Sequence, residues 1–344
     1  MAFGLTLGAL GYRAARAQNA SPPPDPTAEQ ASREGIDAFQ RQDYATAMRL
    51  LRPVADGGNA RAELVVCMMY YDGKGVPRDF GQALAWCRKA ADQGLAFAQA
   101  RVGRMYFRGQ SVPEDNTEAA NWFRKAANQD DVEGEFSLGT MYLNAWGVPK
   151  DDTQAAIWMR KAAEHGLAPA QTTFGKMHLQ GQGVTEDDAQ AASWLRKAAD
   201  QGNTDGQNVL GMLYEIGRGV PRDYGLAMQW FRKSADQGDT WGETLVGSMY
   251  RDGLGVPVDS AQAKSWYRKA ADKGFEPART KLAELEASAS AQTTQVHVPG
   301  AIEFICFFDS GSYRKDSEDI RVKNDACLRE NWKRLFGSMP FPND

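Results

Sequence analysis

Residues 203–238, NTDGQNVLGMLYEIGRGVPRDYGLAMQWFRKSADQG, hold two stretches of helical period separated by a Gly-Arg-Gly-Val-Pro turn. Apolar residues recur at three- and four-residue spacing before the turn and again around Trp230 after it. The pattern returns along the chain. Trp86, Trp122, Trp158, Trp194, Trp230 and Trp266 stand 36 residues apart, each soon followed by Arg-Lys, so copies run over 59–94, 95–130, 131–166, 167–202, 203–238 and 239–274. A fixed period of this length means one helical unit stacked on copies of itself, with function on a repeated surface and not in a single cleft.

Superposed, the copies separate what the fold demands from what varies. Met69, Met105, Met141, Met177 and Met249 share one column, and Tyr70, Tyr106, Tyr142, Tyr214 and Tyr250 the next; both read as core. Gly103, Gly139, Gly175, Gly211 and Gly247 each cost their helix about 1 kcal/mol against Ala, which predicts a partner helix too close for a side chain. The glycines of the turn resemble a phosphate cradle. However, no strand precedes them and no Lys-Ser/Thr follows, so they read as helix stops. Asp79, Asp115, Asp151, Asp187, Asp223 and Asp259 open the second helices, most with Gln or Glu three residues on, as capping groups and not catalytic carboxylates. Ala83 and its equivalents admit a neighbouring helix, Arg-Lys suits the negative helix end, and Gly94, Gly166, Gly202, Gly238 and Gly274 stop it. Copy three departs at Asn144-Ala145-Trp146-Gly147, and copy four at His178 and Thr185.

The composite A-x-x-x-x-G-x-M-Y-x-x-G-x-G-V-P-x-D-x-x-x-A-x-x-W-x-R-K-A-A-x-x-G resembles the Sel-one-like repeat, a 36-residue relative of the tetratricopeptide repeat, over residues 59–274. The segment 27–58 resembles a shorter tetratricopeptide-type hairpin, with Asp43, Ala47 and Gly58 standing 36 residues before Asp79, Ala83 and Gly94. The resemblance implies an all-α fold, a right-handed α-solenoid of antiparallel helix pairs, whose concave face binds other proteins. Family members act as adaptors in quality control, signalling and, in bacterial envelopes, polysaccharide export or its regulation.

Around the repeats, 1–17 read as a signal peptide ending in Ala15-Arg16-Ala17, and 18–26 as a Pro-rich linker. Export to the periplasm or beyond is the leading reading. A mis-set start, which leaves the protein cytoplasmic, or an organelle presequence is the alternative. Residues 275–287 read as a final helix, 288–300 as a linker and 301–344 as a capping segment or a separate small domain. No later segment reaches the roughly 18–20 apolar residues of a membrane span. The charge balance, 40 basic against 44 acidic for a net −4, contains no basic run able to follow a row of phosphates, which disfavours nucleic acid. Cys67, Cys87, Cys306 and Cys327 form an even set without zinc spacing. Cys67 and Cys87 are expected about one helical turn from opposition, as a bridge or as two buried thiols, and the Cys306–Cys327 pairing is open.

With the structural columns removed, Arg61, Leu64, Met68, Tyr71, Phe97, Arg104, Phe107, Phe136, Thr140, Leu143, Lys176, Trp241 and Arg251 remain on one face of the first helices. Aromatic and arginine side chains dominate binding energy at many interfaces, so this face is the predicted protein-binding site, the alternative being packing against the next repeat. A carbohydrate or peptidoglycan binder instead requires Tyr71, Phe97, Phe107, Trp146 and Trp241 to line one exposed groove. Catalytic signals are thin. The histidines His165, His178 and His297 form no metal motif, and Ser312-Tyr313-Arg314-Lys315 matches the S-x-x-K of penicillin-recognising enzymes without their other two motifs. The expectation is a non-enzymatic scaffold with a protein partner, no cofactor and no metal; no oligomeric state is implied.

Overall fold

The computed structural model describes residues 26–293, and every regular element in that range is an α-helix. In order these are α1 (Pro26–Gln40), α2 (Tyr44–Asp56), α3 (Ala60–Asp72), α4 (Phe80–Asp92), α5 (Ala96–Phe107), α6 (Asn116–Ala127), α7 (Val132–Asn144), α8 (Asp152–Glu164), α9 (Ala168–Gln180), α10 (Asp188–Asp200), α11 (Thr204–Ile216), α12 (Tyr224–Asp236), α13 (Thr240–Asp252), α14 (Ser260–Asp272) and α15 (Glu276–Thr293). The fold is all-α, of the α-solenoid class, with helix pairs packed in series. Two compact units divide between Gly134 and Glu135. In the first, the pairs α1–α2, α3–α4 and α5–α6 pack each on the next; in the second, α9–α10, α11–α12 and α13–α14 do the same, with α15 against α14. The last helix runs to Thr293, past the Ala287 boundary, because alternating Ala and Ser after residue 286 sustain a helix that their small, polar character had suggested was linker. The signal-peptide reading, His297, Cys306, Cys327, Ser312–Lys315 and the capping segment lie outside the described residues.

Each repeat is built by local chemistry. Asp79, Asp115, Asp151, Asp187, Asp223 and Asp259 all accept from the backbone amide three residues on, so each second helix starts on a carboxylate that satisfies an orphan donor. The amides of the same residues donate back to the carbonyls of Tyr70, Tyr106, Tyr142, His178, Tyr214 and Tyr250 at 2.8–3.2 Å, which closes the turn. The second glycine of the turn is needed for space as well as for its left-handed φ of +69°: a Cβ on Gly183 would lie 1.9 Å from the Asp152 carbonyl oxygen, and one on Gly219 2.1 Å from that of Asp188. The turn therefore sits on the start of the second helix in the copy before it. That contact ties one repeat to the next.

The core follows from the glycine column of the first helices. A Cβ on Gly211 would meet the Phe231 ring at 2.4 Å, one on Gly247 the Tyr267 ring at 2.7 Å, and one on Gly175 Leu195 at 2.8 Å. The void left by each glycine is filled by the residue immediately after the repeat tryptophan, and Tyr267, Phe231 and Leu195 are among the most deeply buried side chains. In the first copy Cys67 stands in the glycine column and Cys87 in the filling one. They are opposed directly, not a turn apart, and joined by a disulfide with Cα atoms 5.2 Å apart. The tryptophans pack beside this seam: Trp86, Trp122 and Trp230 are buried and Trp158, Trp194 and Trp266 half-buried. In each copy the Lys three residues on lies over the indole, at 3.7–5.1 Å from the ring centroid. The neighbouring Arg reaches forward instead, donating to the tyrosine hydroxyl 18 residues on in the pairs Arg88–Tyr106, Arg196–Tyr214 and Arg232–Tyr250, and Arg52 of α2, which has no Lys beside it, makes the same bond to Tyr70. The Arg-Lys pair thus serves packing between copies beyond any interaction with the helix end.

A second ladder is polar. Glu63, Gln99, Glu135, Gln171, Gln207 and Glu243 are all buried, one per first helix. Each meets the residue 30 positions on at the end of its own copy: Gln93, Gln129, His165, Gln201, Gln237 and Lys273, at 2.7–2.9 Å. Burial of these groups is tolerable because each is hydrogen-bonded.

Candidate interaction surface

In the first unit, α3 and α5 carry a group of rings and cations that no structural column requires. The Arg101 guanidinium lies 5.1 Å from the Tyr71 ring centroid and 5.1 Å from that of Phe97, bridging the two copies. Tyr71 is held from two sides. Its ring meets Phe80 edge-on at 5.2 Å, and its hydroxyl donates to Gln110 Oε1 at 3.0 Å. Phe97 is 42% exposed. Arg101 Nε is buried without a hydrogen-bond partner among the described residues. Arg61 is exposed nearby in sequence on α3, Leu64, Met68 and Phe107 are half-buried, and Arg104 forms an ion pair with Glu133. Sequence reasoning missed Arg101. Its column reads Val65, Arg101, Ser137, Thr173, Val209 and Leu245, so the signal was a cation among small and apolar residues.

In the second unit the corresponding positions are differently used. Phe136, Thr140 and Leu143 are half-buried on α7, and the Thr140 hydroxyl donates to the Phe136 carbonyl at 2.8 Å. Lys176 pairs with Asp205 at 2.7 Å, and Arg251 makes two 2.8 Å bonds to Asp252. Trp241 corrects the sequence reading. It is only 9% exposed and stands edge-on to Phe275, 6.1 Å between centroids, as part of the hydrophobic core. Its neighbours explain why: Thr244 and Ser248 bond within the helix, Ser248 reaches the Tyr267 hydroxyl at 3.0 Å, and the short side chains let adjacent helices close over the indole. Trp146 is 40% exposed in the copy-three turn.

Glu215 is buried on α11, with one carboxylate oxygen lacking a hydrogen bond among the described residues. Desolvation by burial, with the Asp252 charge adding to it, pushes its carboxyl up to about 8, so it is neutral at pH 7. No group of three or more His, Cys, Asp or Glu able to hold a metal occurs among the described residues, and no described helix is long and apolar enough to cross a membrane.

The family model for the Sel1 repeat matches residues 60–95, 96–131, 132–167, 168–203, 204–239 and 242–275. Among solved structures, the chain is similar to a protective antigen present in uropathogenic Escherichia coli strains that displays an SLR fold, at 31% identity and a TM-score of 0.69. The alignment covers 94% of this chain but only 64% of that protein, so this chain spans less than two thirds of its length. It is also similar to a Sel1 repeat protein from Oxalobacter formigenes, at 30% identity and a TM-score of 0.64, over 70% of this chain and 96% of that one. No curated protein matches the chain.

Proposed function

We propose that this chain, which belongs to the Sel1-repeat family, is a non-catalytic scaffold that grips a protein partner through the first-helix face of its N-terminal unit, the face expected to be concave. Sel1-repeat proteins are in general protein-interaction scaffolds. The observation that carries the reading is the Tyr71–Arg101–Phe97 stack: a rigid pair of rings with a cation between them, half open to solvent and unneeded by the repeat. Such groups contribute large contact area at low entropic cost. Arg61, Leu64, Met68, Arg104 and Phe107 supply its border. The site of action is the periplasm or the outside of the cell; the Cys67–Cys87 bridge and the signal-like 1–17 segment support that location. The five-aromatic carbohydrate groove is not retained, because Trp241 is core.

A photo-crosslinking residue at position 97, with a matched one at the exposed second-helix position Ala85 as control, should trap a partner from a periplasmic fraction only at 97. Phe97→Ala and Arg101→Ala should each lower capture at least tenfold with unchanged helicity. Equal trapping at both positions, or capture indifferent to both substitutions, sinks the assignment.

A further inference from the structure

The Arg-to-Tyr ladder is broken in the second unit at Arg160, whose counterpart 18 residues on is His178 and not tyrosine. The His178 ring turns away, meeting Phe174 edge-on at 4.8 Å, with Nδ1 3.3 Å from the carbonyl of Thr185, the residue that stands where the other turns have Pro. Among the described residues Arg160 keeps only a 3.9 Å contact to Glu164 between two well-exposed side chains, which is a weak pair. A cavity of about 390 Å³ lies at this step, between α8, α9, α10 and the turn at Gly183-Val184. Ile157, Phe174, Val184 and Trp194 form its apolar wall, and Arg160 and His178 its polar side. Ile157 is 38% exposed, an apolar group where the other copies have Ala, Asn, Ser or Gln. Trp194 is fixed by Phe174 at 5.5 Å and by Lys197 over its ring at 3.8 Å.

We propose that this pocket binds the free C-terminal residue of a partner polypeptide, with the chain-end carboxylate on Arg160 and an apolar side chain against Ile157, Phe174 and Trp194. The volume lies at the low end of ligand pockets, which suits one residue and not a helix. Among the described residues Arg160 is the single one lining the cavity with a permanent charge and no acid lines it, so the ligand is anionic. A planar guanidinium takes a carboxylate with two parallel bonds. A chain end carries carboxylate and side chain on one residue, matching the closeness of Arg160 to Ile157 on the same helical turn of α8. On α9, Phe174 and His178 lie on the opposite side of the helix from Lys176, a residue of the predicted protein-binding face.

The test is calorimetric titration of the full chain with N-acetyl-Ala-Ala-Phe as the free acid, with the same tripeptide amidated, and with N-acetyl-Ala-Asp-Phe amide. The free acid should bind at one site and both amides at least tenfold more weakly. Arg160→Gln should remove the preference for the acid. His178→Tyr, which returns to Arg160 the phenol its counterparts have, should weaken acid binding at least tenfold while circular dichroism stays unchanged. Ile157→Ser places a residue that equivalent positions already carry and should weaken acid and amide alike. Equal binding of acid and amide, tight binding of the Asp-bearing amide, no saturable binding at all, or acid binding that survives both Arg160→Gln and His178→Tyr overturns the proposal.

Discussion

The first helices of copies one and two and those of copies five and six occupy the same columns of one repeat, yet they present different faces. In the first unit the columns at 61 and 97, 68 and 104, and 71 and 107 hold exposed or half-buried Arg, Phe, Met and Tyr. In copies five and six the same columns bury Trp241, Met212, Ser248 and Glu215, while Asp205 stays exposed and Arg251 half-buried. A repeat therefore fixes which positions point away from its own hairpin without fixing whether they meet solvent. That depends on how closely the next first helix approaches. Where Thr244, Ser248 and Asn208 are short and hydrogen-bonded, the last of them to Asp239 at 2.8 Å, the face closes. Where Arg101 and Phe97 are long, it stays open.

The sharpest way to break this comparison is to truncate one aromatic from each face. Trp241→Ala should cost about 3 to 4 kcal/mol in urea unfolding, since it empties a core site, while Phe97→Ala should cost less than about 1 kcal/mol. Comparable losses at the two positions would mean that the faces do not differ. The disulfide comes next. Cys87→Ala should cost about 3 kcal/mol, from the lost 20-residue cross-link and the void opposite Cys67. The double change Cys67→Gly with Cys87→Met copies the Gly139–Met159 pair and should recover a good part of it. If the double variant is no better than the single one, the bridge is not a substitute for the glycine-and-filler pair.

The repeat was readable from sequence because its columns are redundant: six capping aspartates, six tryptophans and a nearly constant glycine each announce one physical requirement several times over. The void-filling position was not, because Cys87, Phe123, Met159, Leu195, Phe231 and Tyr267 share only bulk and burial, and chemically unlike residues do not look like a column. The Glu/Gln ladder beginning at Glu63 was missed for the opposite reason, since a polar residue inside a helix suggests surface until its partner 30 residues on is seen. Trp241 was misread because it stands in a variable column, and variation marked it as a ligand contact when neighbouring small residues had made it core.

Glu215 gives a pH-dependent version of the same contrast. Its folded-state acidity is displaced upward, to about 8 from an ordinary 4.5, so the folded chain holds a proton that the unfolded chain releases between those values. Stability from this group is fully present below about pH 4.5 and is lost as pH rises through about 8. Glu215→Gln should leave stability little changed at pH 4 and raise it by on the order of 2 kcal/mol at pH 9, with Asp252 and its partner Arg251 left in place. A parallel pH profile for the two proteins would place a charged, solvated carboxylate at 215. The closed face would then be open after all.

The smallest effect asks whether the two units share their scaffold even where their faces diverge. Lys125 lies 3.7 Å from the Trp122 centroid in the first unit and Lys233 3.9 Å from that of Trp230 in the second, with both indoles buried. Near-identical geometry should give near-identical coupling. Double-mutant cycles with Lys→Met, which keeps the stem and removes the charge, and Trp→Leu should each return about 0.5 to 1 kcal/mol. The Trp→Leu arm alone measures packing, and it should be similar in the two copies because the filler residue is phenylalanine in both, Phe123 and Phe231. Coupling energies that agree while the Trp241 and Phe97 losses diverge would locate the difference between the regions in the variable columns of the first helices. Unequal couplings would instead put it in the repeat itself, and the open face at Phe97 would then follow from a looser hairpin and not from longer side chains.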